Sequence, residues 1–312
     1  MNTIGIDIGG TRIKAGLVNE SGEILYRINE PSLVAVDYRQ SVEHFKTIVQ
    51  TLQNQAESNV TGVGLSVAGL MDRDCSRIIA APNCHALPGH TLPADVSRVV
   101  GLPTVMDNDC NLMAIAEGGY GAAVNCRHYV AITLGTGVGG AIISDGVLIR
   151  GANGGGGELG HIPISIDGPV CGCGAIGCLE AYIGKEGTAR YQRENHPHIA
   201  DLGMIALNKL ALGGDTAAID IFRYVGEKLA VGLATAVNIF NPELLVIGGG
   251  VAEAGELLFE PCRAELKRRC FPSYYSDLQL IHAKLGNWAG VIGGAMIARK
   301  ATSEINNPLI IN

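Results

Sequence analysis

The sequence lacks the long Lys/Arg stripe that nucleic acid binding requires. Its nearest approach is Lys267-Arg268-Arg269, in a stretch of helical character that reads as a solvated face. The net charge is -7, so neither a nucleic acid nor an anionic membrane surface is an expected partner. No apolar run approaches the ~18 residues of a membrane span. Asp7 interrupts the first apolar run, so no secretory signal core is expected at the N-terminus. No G-x-x-x-x-G-K-[ST] is present, which excludes a P-loop. No flexible linker or low-complexity segment appears. The nine cysteines are odd in number, and with no export signal they predict a reducing, cytoplasmic setting.

What is present describes a well-buried enzyme. Hydrophobic residues make up 47% and charged residues 17% of 312 positions, enough for two domains, each with a core. The 43 glycines are nearly twice the usual ~7% share, and they cluster where backbone must approach a ligand closely.

The segment from Glu158 to Glu180, ELGHIPISIDGPVCGCGAIGCLE, joins one imidazole to three thiols. His161, Cys171, Cys173 and Cys178, with glycines at 172, 174 and 177 between them, suit a tetrahedral structural zinc. Such a knot would hold Glu158, His161 and Glu180 rigidly together. The remaining cysteines, at 75, 84, 110, 126, 262 and 270, read as free and mostly buried thiols.

The chain also repeats itself. TIGIDIGGTRIKAGLVNESGEILYRIN and HYVAITLGTGVGGAIISDGVLIRG both read strand, glycine turn, strand, turn, strand. Shifting the first by 126 positions lays Asp7-Ile-Gly9-Gly10-Thr11 over Thr133-Leu-Gly135-Thr136-Gly137, and Asn19 over Asp145. Two copies of one α/β unit flanking a cleft is the economical reading. The expected division is a small domain of residues 1–118 plus 297–312, ending in a polar tail, and a large domain of 119–296 that carries the cysteine segment. Helices are expected near 38–57, 91–100, 110–119, across much of 181–240, near 253–269 and at 289–301.

Three glycine turns follow buried strands. Asp7-Ile-Gly9-Gly10-Thr11 exposes backbone N–H groups suited to phosphate oxygens, and Asp7 suits the water shell of a magnesium ion. Leu134-Gly-Thr136-Gly137-Val-Gly-Gly140 is a second phosphate turn, and Ile247-Gly-Gly249-Gly250-Val251 offers bare backbone to a purine or ribose. A plain glycine hairpin is the competing reading for the first and structural glycine packing for the third, while a dinucleotide site fits the second poorly because no helix obviously follows it. Asn108 and Asp109 end an apolar strand, where α/β sheets bind ligands. They suit neighbouring hydroxyls, with Asp109 placed to accept a proton, or else they simply cap the helix that follows. Asn83, in the loop after another strand, has the same status.

These motifs occur in one order: DIGGT, Asn108-Asp109, LGTGVGG, ELGH, CGCGAIGCLE and NPELLVIGGGV. In that order the chain, from about residue 3 to 299, resembles the ROK family of bacterial sugar kinases and repressors. The resemblance implies an actin-like, ribonuclease-H-like ATPase fold with ATP and sugar in the cleft. It implies Asp109 as catalytic base and Asn83, Asn108, Asp109, Glu158, His161 and Glu180 as sugar contacts. His161, Cys171, Cys173 and Cys178 would hold zinc. Asp7, Gly9, Gly10, Thr11, Thr136 and Gly137 would border the phosphates of magnesium-bound ATP, with Gly249 and Gly250 at the adenosine. Glucose is the first expected substrate, phosphorylated at its 6-hydroxyl. N-acetylmannosamine, N-acetylglucosamine, fructose and allose are alternatives, and a sugar-sensing regulator is the non-enzyme alternative. A DNA-binding repressor is disfavoured, since only three residues precede Ile4. The family suggests homodimers or homotetramers. Arg12 stands where members often carry lysine.

Overall fold

Isoleucines at 4, 6 and 8 alternate with Gly5 and Asp7 in the first strand, and all three are buried. That strand, β1 (Asn2–Ile8), pairs antiparallel with β2 (Arg12–Val18), which pairs with β3 (Ile24–Pro31). Helix α1 (Tyr38–Asn54), capped by the Asp37 side chain, buries Val42, Phe45, Ile48, Val49 and Leu52. It leads into β4 (Val60–Val67), parallel to β1. The short hairpin β5 (Leu70–Met71) and β6 (Ile78–Ala80), then α2 (Leu92–Val100), precede β7 (Thr104–Asn108), which is parallel to β4. Helix α3 (Asp109–Tyr120) follows at once. The sheet order is β3-β2-β1-β4-β7, so the carboxyl ends of β1, β4 and β7 lie side by side.

The second sheet repeats this plan. Strands β8 (Tyr129–Leu134), β9 (Val138–Ser144) and β10 (Val147–Leu148) form the antiparallel part. Helices α4 (Glu180–Ile183), α5 (Lys185–Asn195), α6 (Met204–Leu212) and α7 (Thr216–Phe240) intervene before β11 (Leu244–Gly248). Then come α8 (Glu256–Arg269), α9 (Pro272–Tyr275) and β12 (Gln279–His282). The order β10-β9-β8-β11-β12 matches the first sheet strand for strand, with β8, β11 and β12 parallel. The repeat expected from sequence is therefore present. Its hairpins differ by one residue: Ile8 pairs Ile13, whereas Leu134 pairs Val138. Asn19 and Asp145 both stand at the next turn, between the second and third strands of their sheets.

This computed structural model describes residues 1–306; the final helix runs on to Asn306, through the start of the polar tail expected after Ala301, and the rest of that tail lies outside the described residues. The chain forms two units. One holds Met1–Val124, Arg150–Gly156 and the chain from Leu285; the other holds Asn125–Ile149 and Gly157–Lys284. These boundaries depart from 1–118 plus 297–312 because the final helix, α10 (Ala289–Asn306), packs onto β1 and β4 from its first turns. Gly5 and Gly64, opposite each other in the register, form its seat. A β-carbon on Gly64 would run into the backbone of Gly294, and one on Gly5 into that of Val291. Glu117, fully buried, receives the N–H of Leu285 at 2.8 Å and that of Ala122 at 2.6 Å, fastening the start of this segment to α3.

Candidate functional site

In the first unit the turn after β1 and the loop carrying Asn83 meet. A β-carbon on Gly10 would strike the backbone oxygen of Asn83, so only glycine lets the two loops touch. Gly9 N–H is held by Arg12 C=O at 3.0 Å, and Thr11 and Asn83 are exposed. The β1–β2 and β1–β4 registers place Asp7 opposite Lys14 and Ser66. Ser66 donates to Asp7 Oδ1 at 2.8 Å, and Lys14 Nζ lies 3.5 Å from Oδ2. Asp7 is thus oriented, about a quarter exposed, and one carboxylate among waters suits magnesium, which keeps much of its hydration shell. Arg12 is turned to β3, donating to Asn29 Oδ1 at 2.6 Å and to its C=O at 2.7 Å.

Asn108 and Asp109 stand where β7 becomes α3. Asn108 Oδ1 accepts the N–H groups of Cys110 (2.8 Å) and Asn111 (3.2 Å), and its Nδ2 donates to Gly69 C=O at 3.0 Å. The helix-capping alternative therefore holds for Asn108, leaving one amide proton for a ligand. Asp109 is the first helical residue and is half-buried. Burial pushes the Cys84 thiol up to about 11, and the nearby Asp109 and Asp7 carboxylates push it in the same direction. Asp7, the Gly9-Gly10 turn, Asn83, Asn108 and Asp109 are thus gathered at the carboxyl ends of β1, β4 and β7.

In the second unit His161, Cys171, Cys173 and Cys178 converge, with one ligand atom from each within 4.8 Å of all the others. His161 Nδ1 lies 3.6 Å from Cys171 Sγ, and Cys173 Sγ lies 3.8 Å from Cys178 Sγ. Ligands about 2.3 Å from a tetrahedral zinc stand about 3.8 Å apart, so the spacing already fits the ion. Two short pairings, Pro163 with Cys178 and Val170 with Ile176, shape the knuckle. Gly174 (φ 91°) and Gly177 (φ 74°) take the left-handed conformations its turns need, whereas Gly172 does not. With Nδ1 on the sulfur side, His161 Nε2 faces Glu158 Oε2 at 4.0 Å. Burial raises the Glu158 carboxyl above its ordinary range; His161 opposes this and Glu180 adds to it.

Glu180 opens α4 beside the knuckle, its Oε1 3.8 Å from Cys171 Sγ. Its Oε2 accepts the Val138 N–H at 2.8 Å, directly after Thr136 and Gly137. Lys185 N–H binds Thr136 C=O at 3.0 Å, closing the same turn from below. Gly249 (φ 85°) packs on Leu134, since β8 and β11 are parallel neighbours, and Gly250 is exposed. Each unit therefore gathers its own share of the expected residues. Sequence reasoning missed Ser66, Lys14, Asp107 and Arg150, whose roles appear only through pairing between distant segments. None of the nine cysteines is joined in a disulfide, and no described helix is long and apolar enough to cross a membrane.

The ROK family profile matches residues 3–301. A glucokinase of Thermotoga maritima is 32% identical, over 96% of this chain and 98% of its own. A ROK family glucokinase of Streptomyces griseus, solved with glucose and AMPPNP, is 34% identical with a TM-score of 0.83, covering 96% of this chain and 100% of its own. The fold is accordingly the actin-like, ribonuclease-H-like ATPase fold. A xylose repressor of Caldicellulosiruptor bescii is 30% identical, over 93% of this chain and 76% of its own.

Proposed function

The chain belongs to the ROK family, and from that premise we propose that it is an ATP-dependent hexose kinase acting on the 6-hydroxyl, with glucose as the preferred sugar. The observation that carries the reading is Asp109 at the head of α3, gathered with Asp7 and the Gly9-Gly10 turn at the ends of parallel strands. The glucokinase relatives favour glucose over N-acetylmannosamine, N-acetylglucosamine, fructose or allose.

Phosphoryl transfer asks mainly for positioning and charge neutralisation. Asp109 orients the sugar hydroxyl and takes its proton as the oxygen bonds to the γ-phosphorus and ADP leaves. Asn108 offers its remaining amide proton to a neighbouring hydroxyl, and Asn83 offers another contact. Glu158 and His161 Nε2 are further candidates for hydroxyl contacts, as the family pattern has them. Glu180 acts on the sugar through its Oε1, because its Oε2 is engaged by Val138. The turns at Gly9-Gly10-Thr11 and Thr136-Gly137 offer N–H groups to phosphate, and Gly249-Gly250 offers backbone to adenosine. Magnesium, held through waters beside Asp7, would offset the phosphate charge. Zinc at His161, Cys171, Cys173 and Cys178 would lock the knuckle; its role is structural. Its thiolates and the six other cysteines, none in a disulfide, fit a reducing cytoplasm, and the working form is a homodimer or homotetramer, as in the family.

A sugar-responsive regulator is the second reading, favoured by the likeness to the xylose repressor. A coupled assay of ADP release over a hexose panel at saturating ATP decides between them. Glucose-dependent ADP release supports the kinase; sugar binding without turnover of any hexose overturns it.

A further inference from the structure

Asp107 is a carboxylate 1% exposed inside the first unit, one residue ahead of the Asn108-Asp109 pair. Its Oδ1 accepts the N–H of Asn108 at 2.7 Å and the side-chain amide of Asn111 at 3.0 Å. Its Oδ2 receives Arg150, from the segment Arg150–Gly156 that belongs to this unit although the neighbouring chain does not. Arg150 also donates to Cys75 Sγ at 3.5 Å, so its guanidinium is fixed from a second side. A buried carboxylate without a cation is unfavourable enough that it rotates, draws in water or takes up a proton. Each response alters the acceptor that holds the β7–α3 turn.

We propose that Arg150 is a positioning residue for phosphoryl transfer: by holding Asp107 Oδ2 it keeps Oδ1 on the turn, and so sets where Asn108 and Asp109 meet the sugar. The kinetic part rests on the kinase reading; the structural part does not. Arg150 touches no reacting atom, so the effect falls on turnover more than on nucleotide affinity. A near-attack geometry lost by about 1 Å lowers rate by about 100-fold. Lysine keeps the charge but not the fork that reaches both Asp107 and Cys75, so it restores only part.

The test compares Arg150→Ala, Arg150→Lys and Asp107→Asn with a control, Arg127→Ala, which removes the exposed Arg127–Asp145 pair. For Arg150→Ala the expected result is a kcat about 30- to 100-fold lower, with KM for ATP within about threefold of the parent. Arg150→Lys falls between the two, and Arg127→Ala stays within about twofold. Amide exchange at Asn108, Cys110 and Asn111 becomes about tenfold faster in Arg150→Ala. A folded Arg150→Ala with kcat within about threefold of the parent, or with unchanged exchange at those amides, overturns the proposal. Should Arg150→Ala not fold, the lysine and Asp107→Asn variants carry the same comparison. If the parent phosphorylates no hexose, the kinase reading fails, and amide exchange alone still decides the role of Arg150.

Discussion

Glu180 and Val138 are joined by a 2.8 Å hydrogen bond from the Val138 N–H to Glu180 Oε2. Through it the cysteine knuckle and the Thr136-Gly137 turn form one piece of structure. The carboxylate lies over Gly137, where a β-carbon would strike it. Gly137→Ala should push the flexible Glu180 side chain away and free the Val138 N–H. We expect KM for ATP to rise about tenfold, with Tm falling by less than about 3 °C. Initial-rate kinetics and a thermal melt check this; an unchanged KM would separate the turn from the knuckle.

The knuckle should contain one zinc per chain. Cys178→Ser, at a buried ligand, should abolish zinc retention and lower Tm by about 5–10 °C. Glucose affinity should weaken with it, because His161 and Glu158 lose their anchor. Atomic absorption with calorimetry tests this, and a metal-free protein of unchanged Tm would contradict it.

Gly64 and Gly294 meet backbone to backbone under α10. Gly64→Ala cannot be absorbed by a side-chain shift, so it should destabilise the first unit by about 3 kcal/mol. Denaturant unfolding measures this, and a loss under about 1 kcal/mol would mean that α10 sits less tightly on the sheet.

Asp220 ties α7 to α5. Burial alone would raise its carboxyl, but hydrogen bonds from His196, Arg223 and Tyr191 outweigh this and bring it to about 2. Its ordinary value is about 3.9, so its stabilisation is complete above about pH 4 and is lost as pH falls through about 2. Asp220→Asn should cost about 2 kcal/mol at pH 6 and almost nothing near pH 2, read by urea unfolding. An equal difference at both pH values would contradict the linkage.

The repeated hairpins were legible because strand alternation and glycine turns are local signals, and both sheets follow the predicted plan. The convergence of His161, Cys171, Cys173 and Cys178 was legible for the same reason: they lie within one short segment. Asp107 and Arg150 were not, because 43 residues separate a buried acid from its cation and neither position carries a motif. The domain boundary was missed likewise, since α10 earns its place through Gly5 and Gly64, far back in the chain. Of the two readings offered for Asn108, the structure shows the capping of α3.

The account turns on Asp109 as the group that takes the sugar's proton. Asp109→Asn keeps the shape and the helix start but cannot accept that proton. Measured with glucose and ATP, kcat should fall about 1000-fold while glucose still binds within about tenfold of the parent affinity. Turnover within about tenfold of the parent would contradict the account.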